Sequence, residues 1–249
     1  MAAMPLFRVL GFALVPSLTL LLGGGAALFW KPSAAWRSAI LHFAAGVVFS
    51  VVAVELLPDI VKQHAPLEVA LGFGLGVGAM LGVRVVTQKI EKAAPDAPAQ
   101  GAQSSVLPLG LLLGIAVDIA LDGFLLGIGF AAGAKEGALL ALALAGEVLA
   151  LGITLSTELR GLSIARGRIV AILTAIAALF LLGADLGATL LHGLSGEWLE
   201  LVLSFGLAAL LFLVTEELLT EAHEEEETPL LTLAFFGGFL LFLLLGMVL

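Results

Sequence analysis

"LLLGIAVDIALDGFLLGIGFAA", Leu111–Ala132, is the stretch on which the fold turns. It holds no basic residue and only two acids, Asp118 and Asp122. Its length matches the hydrocarbon core of a bilayer, which about 20 residues of helix cross. The apolar residues run on without alternating. That excludes a lipid-facing barrel strand, which alternates and spans in about 10 residues. The stretch therefore reads as a transmembrane helix that carries two carboxylates, one turn apart, near its middle.

Outward from it the chain repeats the same composition. Further apolar runs lie at about 5–29, 34–57, 67–87, 137–159, 168–191, 198–220 and 229–249, which with 107–132 makes eight spans. Of the 249 residues 61% are hydrophobic and 12% charged, against about 25% charged in soluble domains. The expected fold is a single all-α integral membrane domain, residues 1–249. The absence of cysteine excludes disulfides and thiolate metal sites. The absence of tyrosine leaves Trp30, Trp36 and Trp198 as the interface anchors. The first run shares Arg8 and small residues near Gly25 with signal peptides, but it is long for an h-region and only weakly basic. It is read as a retained helix.

Basic residues orient the spans. The loops after spans 1, 3 and 5 hold Lys31, Arg37, Arg84, Lys89, Lys92, Arg160, Arg166 and Arg168, whereas the other side holds Arg8, Lys62 and Lys135. The positive-inside rule places the first set in the cytoplasm and both termini outside, as expected for a multi-pass protein of the cell (inner) membrane. The polar connection 88–106, rich in Ala, Pro and Gln, is expected to be a flexible cytoplasmic linker. It splits the chain into spans 1–3, 4–5 and 6–8.

That split exposes a repeat. Span 2 ends in "VVAVELLPDI" through Glu55 and Asp59, and span 7 in "FLVTEELLTEA" through Glu217 and Glu221. Both contain Glu-Leu-Leu-x-acid, yet the two spans run in opposite directions. Spans 4 and 5 pair likewise, "DIALDG" at 118–123 with "EVLALG" at 147–152. Inverted repeats of this kind build many secondary transporters.

Asp118 and Asp122, at i and i+4, share a helix face, and Glu147 sits at matching depth on an antiparallel neighbour. Each acid costs roughly 2.5–3.5 kcal/mol to insert. Protons or a cation relieve that cost, and a divalent ion neutralises two charges at once. The plain structural alternative is a set of protonated acids hydrogen-bonded to other helices. Gly114, Gly123, Gly127, Gly129, Gly146 and Gly152 either pack these helices closely or permit local unwinding that exposes carbonyls.

With these motifs in hand, the chain resembles the ZIP family of divalent-metal transporters, notably through "LHFAAGVVFSVVAVELLPDI" in span 2 and the motifs of spans 4 and 5. The resemblance covers nearly the whole chain. It implies eight spans in a 3+2+3 inverted arrangement, a midplane metal site and a homodimer. It also implies that Asp118 stands at the family's histidine position, Asp122 at its glutamate position and Glu147 at the first position of the span 5 motif. Both motif prolines are replaced here, by Leu121 and Ala150, and Ile119, Val148 and Leu151 stand where ligands of a second metal would be. One metal site is therefore expected, formed by Asp118, Asp122 and Glu147. Its oxygen donors favour hard ions such as Mn²⁺, Mg²⁺ or Ca²⁺, whereas the resemblance points to Zn²⁺, Fe²⁺ or Mn²⁺.

Other polar residues carry two readings each. Asp185 in span 6 is a fourth ligand or a satisfied helix-end acid. His42 is an exit-path ligand or a core histidine bonded to a carbonyl. Glu55, Asp59 and His64 attract cations at the outer end of span 2 or are simply solvated. His223 and Glu224, heading the run Glu224–Glu227, collect outgoing ions or form a solvated turn. Thr154, Ser156 and Thr157 line the path or bond back to their own helix. Gly72, Gly74, Gly76, Gly78 and Gly82 in span 3 make a helix-contact face, within the chain or between two copies.

Three functions follow in order of fit. The first is a secondary transporter carrying a divalent cation of the Zn, Fe or Mn class toward the cytoplasm. The second is a non-transporting ZIP-like sensor, regulator or partner subunit. A membrane enzyme fits least, since no nucleophile and base accompany the acids. No resident cofactor and no nucleic-acid partner are expected. The partners are the cation, the lipid bilayer and a second copy of the chain.

Overall fold

The computed structural model describes residues 6–30, 32–93, 107–223 and 228–248. Eight helices long and apolar enough to cross a membrane account for nearly all of them: α1 Leu6–Ala27, α2 Ala34–Lys62, α3 Pro66–Ala93, α4 Leu109–Ala132, α5 Ala134–Gly161, α6 Arg166–Leu190, α7 Glu197–Ala222 and α8 Pro229–Val248. Among the described residues there is no strand. The protein is an all-α, multi-pass membrane protein. Trp30, Trp36 and Trp198 lie at helix ends and are 55%, 61% and 69% exposed, as interface anchors require.

The ends of the spans depart from the hydropathy reading in three places. Residues 88–93, expected in the linker, continue α3. Gln88 and Lys89 are exposed without breaking the backbone ladder, so hydropathy falls before the helix does. The rest of the connection, 94–106, lies outside the described residues. The turn between α4 and α5 is the single residue Gly133, whose N–H bonds the Gly129 carbonyl. Lastly, α2 and α7 each contain a π-helical stretch, Val51–Leu56 and Leu213–Leu218. In α2 the stretch precedes Pro58, which lacks an N–H for the i−4 bond. Its counterpart in α7 has Thr220 in place of the proline, and the wide turn persists.

Those two stretches occupy equivalent places in an inverted repeat that relates α1–α3 to α6–α8 and α4 to α5. Packing obeys it: α1 lies on α5 as α6 lies on α4, and α2 lies on α8 as α7 lies on α3. Individual contacts obey it too. Gly76 of α3 faces the Phe205 carbonyl of α7, and its mate Gly238 of α8 faces the Phe43 carbonyl of α2. Gly123 of α4 lies under the Phe180 carbonyl of α6, and Gly152 of α5 under the Leu20 carbonyl of α1. A Cβ at Gly123 would fall 2.1 Å from the Phe180 oxygen, and one at Gly152 would fall 2.4 Å from the Leu20 oxygen. Only glycine permits backbones this close.

Glycine contacts lock α1 on α5, α4 on α6, α2 on α8 and α3 on α7; side chains at Gly24 and Gly129 join the first two pairs into α1/α4/α5/α6, and the Ser38 bond to the Ala222 carbonyl ties α2/α8 to α3/α7. Interhelical hydrogen bonds reinforce the first group: the Thr19 hydroxyl donates to the Ala145 carbonyl at 3.0 Å and Ser17 to the Ala177 carbonyl at 3.4 Å. Arg160 of α5 donates to the Ala27 carbonyl at the end of α1. Between the groups, glycines meet side chains instead. Gly206 of α7 faces Ile128 of α4, and Gly146 of α5 leaves an ordinary 3.5 Å to the Cβ of Ala44 in α2. Backbone interlocking within the pairs, with side-chain contact between α1/α4/α5/α6 and α2/α3/α7/α8, leaves a smoother seam between those two sets.

Candidate cation site

On that seam lies a cavity of about 320 Å³. Asp118 and Asp122 reach it from α4, Glu147 from α5, and Glu217 and Glu221 from α7. The i, i+4 spacing on α4 does what helix geometry requires, since both aspartates line the same wall. Ile119 and Leu151 fill the apolar wall between them, and Arg84, Thr87 and Gln88 of α3 complete the rim. Thr87, Gln88 and Glu221 belong to helix ends on the side of the 94–106 connection, so the cavity opens there. Toward the opposite end Leu126, Leu140 and Leu144 are packed with at most 1% exposure. The cavity lining thus reaches the helix ends on one side only.

The acids sit unequally on the cavity wall. Asp122 is buried, at 5% exposure, and lies within electrostatic reach of Asp118 and Glu217. Glu147 is within reach of Asp118, Asp122, Glu217 and Glu221, and its buried Oε2 has no hydrogen-bond partner among the described residues. A buried carboxylate oxygen without a donor is costly, and it marks a place where a cation or a donor fits. One fixed positive charge shares the wall. Arg84 Nη1 donates to Glu216 Oε2 at 2.6 Å, and its charge also acts on Glu217.

The three acids expected to hold the metal are brought to one place. Asp118, Asp122 and Glu147 share one cavity, but among the described residues no three His, Asp or Glu side chains are grouped closely enough to hold one ion. The acids hang from helices of both groups around a space wider than a bare ion.

Two further candidates lie elsewhere. Asp185 of α6 does not line the cavity. His42 is a buried core histidine: its Nδ1 donates to the Ser38 carbonyl at 2.9 Å, and Ser38 in turn donates to the Ala222 carbonyl at 2.8 Å, tying α2 to α7. The exposed His223 ring packs edge-on against it, 5.1 Å between centroids. Glu224 lies outside the described residues. Of the span 5 hydroxyls, Thr157 bonds back to the Ile153 carbonyl at 2.8 Å, and none of Thr154, Ser156 and Thr157 lines the cavity.

Glu217, Glu221 and Arg84 are the site residues that sequence reading passed over. The signal for the two acids lay in the repeat itself, since Glu-Leu-Leu-x-acid places both at one face of the span 7 end. Nothing in the sequence singled out Arg84, which is one basic residue among several at that membrane face. Compared with protein-family models and with curated proteins, the chain matches none.

Proposed function

We propose that the protein is a secondary carrier of the ZIP kind, moving a divalent metal cation toward the cytoplasm through the cavity of Asp118, Asp122, Glu147, Glu217 and Glu221. One observation supports this above the rest. Five carboxylates from three helices line a single cavity, open at one end, on the seam of an inverted-repeat membrane protein. The midplane acids supply oxygen ligands, and the acids of α7 continue the negative surface toward the mouth. With the basic loops in the cytoplasm, the open side faces inward, so the conformation corresponds to release. The two groups shift along their side-chain seam to close the inner mouth and open the outer one.

The oxygen donors suit Mn²⁺, and the ZIP-like pattern adds Zn²⁺ and Fe²⁺. Asp118→Asn and Glu147→Gln are expected to abolish uptake of radioactive Mn²⁺ and Zn²⁺ into proteoliposomes while the protein stays folded by circular dichroism. Wild-type uptake in both variants would overturn the carrier reading.

A second reading, a non-transporting sensor or partner subunit, is favoured by the replaced motif positions Leu121 and Ala150 and by Ile119, Val148 and Leu151 where second-site ligands would stand. It predicts neither divalent-ion binding to the purified protein nor Mn²⁺ uptake by the wild type.

A further inference from the structure

The repeat gives Glu217 a mate, Glu55, at the equivalent place in α2. Glu217 lines the open cavity, whereas Glu55 does not, its side chain 12% exposed. Facing it is the ammonium of Lys135, 3.4 Å from Glu55 Oε2. Lys135 also donates to the Gly246 carbonyl near the end of α8. The carboxylate lies beside that backbone, for a Cβ at Gly246 would fall 2.3 Å from Glu55 Oε1. A positive charge thus already sits between a carboxylate and a main-chain carbonyl, the donor pair that hard divalent ions prefer.

We propose that Glu55 and the Gly246 carbonyl form an outward-facing divalent-cation site, with Lys135 as its resident stand-in. The proposal rests on the carrier reading. Lys135 is the second residue of α5, in one group, while Glu55 and Gly246 belong to the other. The tie therefore crosses the seam and exists only while the outer half is closed. When the groups part on that side, Lys135 withdraws and leaves Glu55 half-buried without its counter-charge. An arriving cation with its waters takes over that role, and its departure inward lets Lys135 return.

The neighbouring charges agree with this. Asp59, one turn further out, is engaged separately by Lys62 at 2.8 Å, so Glu55 is the acid that Lys135 answers. Glu136, beside Lys135, adds negative charge to the approach. In the second half the basic group near Glu217 is Arg84, whose hydrogen bond goes to Glu216 instead. Lys135 is thus what distinguishes the closed mouth from the open one, and it biases the molecule toward the inward-open form.

The native chain has no cysteine, so single-cysteine reporters are free of background. Leu139→Cys, 1% exposed and beside Gly246, reports the outer half; Ile115→Cys, on the cavity wall, reports the inner half. Lys135→Met is expected to raise maleimide labelling at the outer reporter about fivefold and to lower it at the inner one, as for a population shift of modest coupling. Glu55→Gln should shift both reporters the same way, which keeps the test intact if Lys135→Met fails to fold. In an Asp118→Asn/Glu147→Gln background, Lys135→Met should reveal Mn²⁺ binding that Glu55→Gln removes. Outer labelling that rises without the inner loss, or Mn²⁺ binding indifferent to Glu55→Gln, would overturn the proposal. Wild-type Mn²⁺ uptake is measured alongside. Its absence defeats the carrier reading, while its presence with unmoved reporters defeats this site alone.

Discussion

Replacing Gly123 by alanine tests the packing from which the two groups are inferred. The added Cβ would lie 2.1 Å from the Phe180 oxygen, 2.9 Å from the Ala184 nitrogen and 3.0 Å from the Phe180 carbon. All three are backbone atoms, so no rotamer change relieves them, and α4 and α6 must separate locally by about 1 Å to restore contact. Overpacking of this kind costs roughly 1–3 kcal/mol, and the lost Cα–H contact to the carbonyl adds about 0.5–1 kcal/mol. The gain in helix propensity from glycine to alanine returns about 0.5–1 kcal/mol. The control is Gly74→Ala on α3, where nothing lies within 4 Å of the new Cβ and only the propensity gain applies. The propensity gain is common to both and cancels, so the two variants should differ by about 1.5–4 kcal/mol, on the order of a hundredfold in the unfolding equilibrium. Equilibrium unfolding in mixed micelles, read by tryptophan fluorescence, measures this. The repeat mate Gly152→Ala should behave like Gly123→Ala, because its Cβ would meet the Leu20 carbonyl at 2.4 Å. Gly146→Ala, on the seam, should behave nearer to Gly74→Ala. Equal stability of Gly123→Ala and Gly74→Ala would refute the interlocked-backbone argument, and with it the basis for motion along the seam.

Arg84→Gln should change stability by less than about 1 kcal/mol, because both members of its ion pair with Glu216 are nearly half exposed. It should at the same time tighten Mn²⁺ binding, by removing a positive charge from the cavity wall; weaker binding in a titration would count against a cation cavity. Thr19→Val should destabilise the protein by about 0.6–1.7 kcal/mol through the lost bond to the Ala145 carbonyl, read as a lower melting temperature. Asp185→Asn should leave Mn²⁺ uptake within about twofold of wild type, a free-energy change under 0.5 kcal/mol, since Asp185 does not line the cavity. A large loss would place it on the path.

Much of this molecule follows from the solvent that each residue was selected to meet. Continuous apolar runs as long as the bilayer is thick dictate eight helices, and the polar connection after the third sets three spans apart from five. The acids of spans 4 and 5 are legible for the same reason: a carboxylate amid oil has no bland explanation on its own helix. The Glu-Leu-Leu-x-acid echo announces the inverted repeat. Hydropathy, however, reports the medium and not the neighbour. It does not say that Gly72 and Gly76 turn toward α7 while Gly74, Gly78 and Gly82 meet nothing, because all five look alike in sequence. It does not say that His42 spends its Nδ1 on the Ser38 carbonyl, or that Glu217 joins Asp118 in the cavity while its mate Glu55 faces Lys135. Those outcomes depend on which helix faces meet, and that is settled by where backbones can approach across glycine, summed over all eight helices at once.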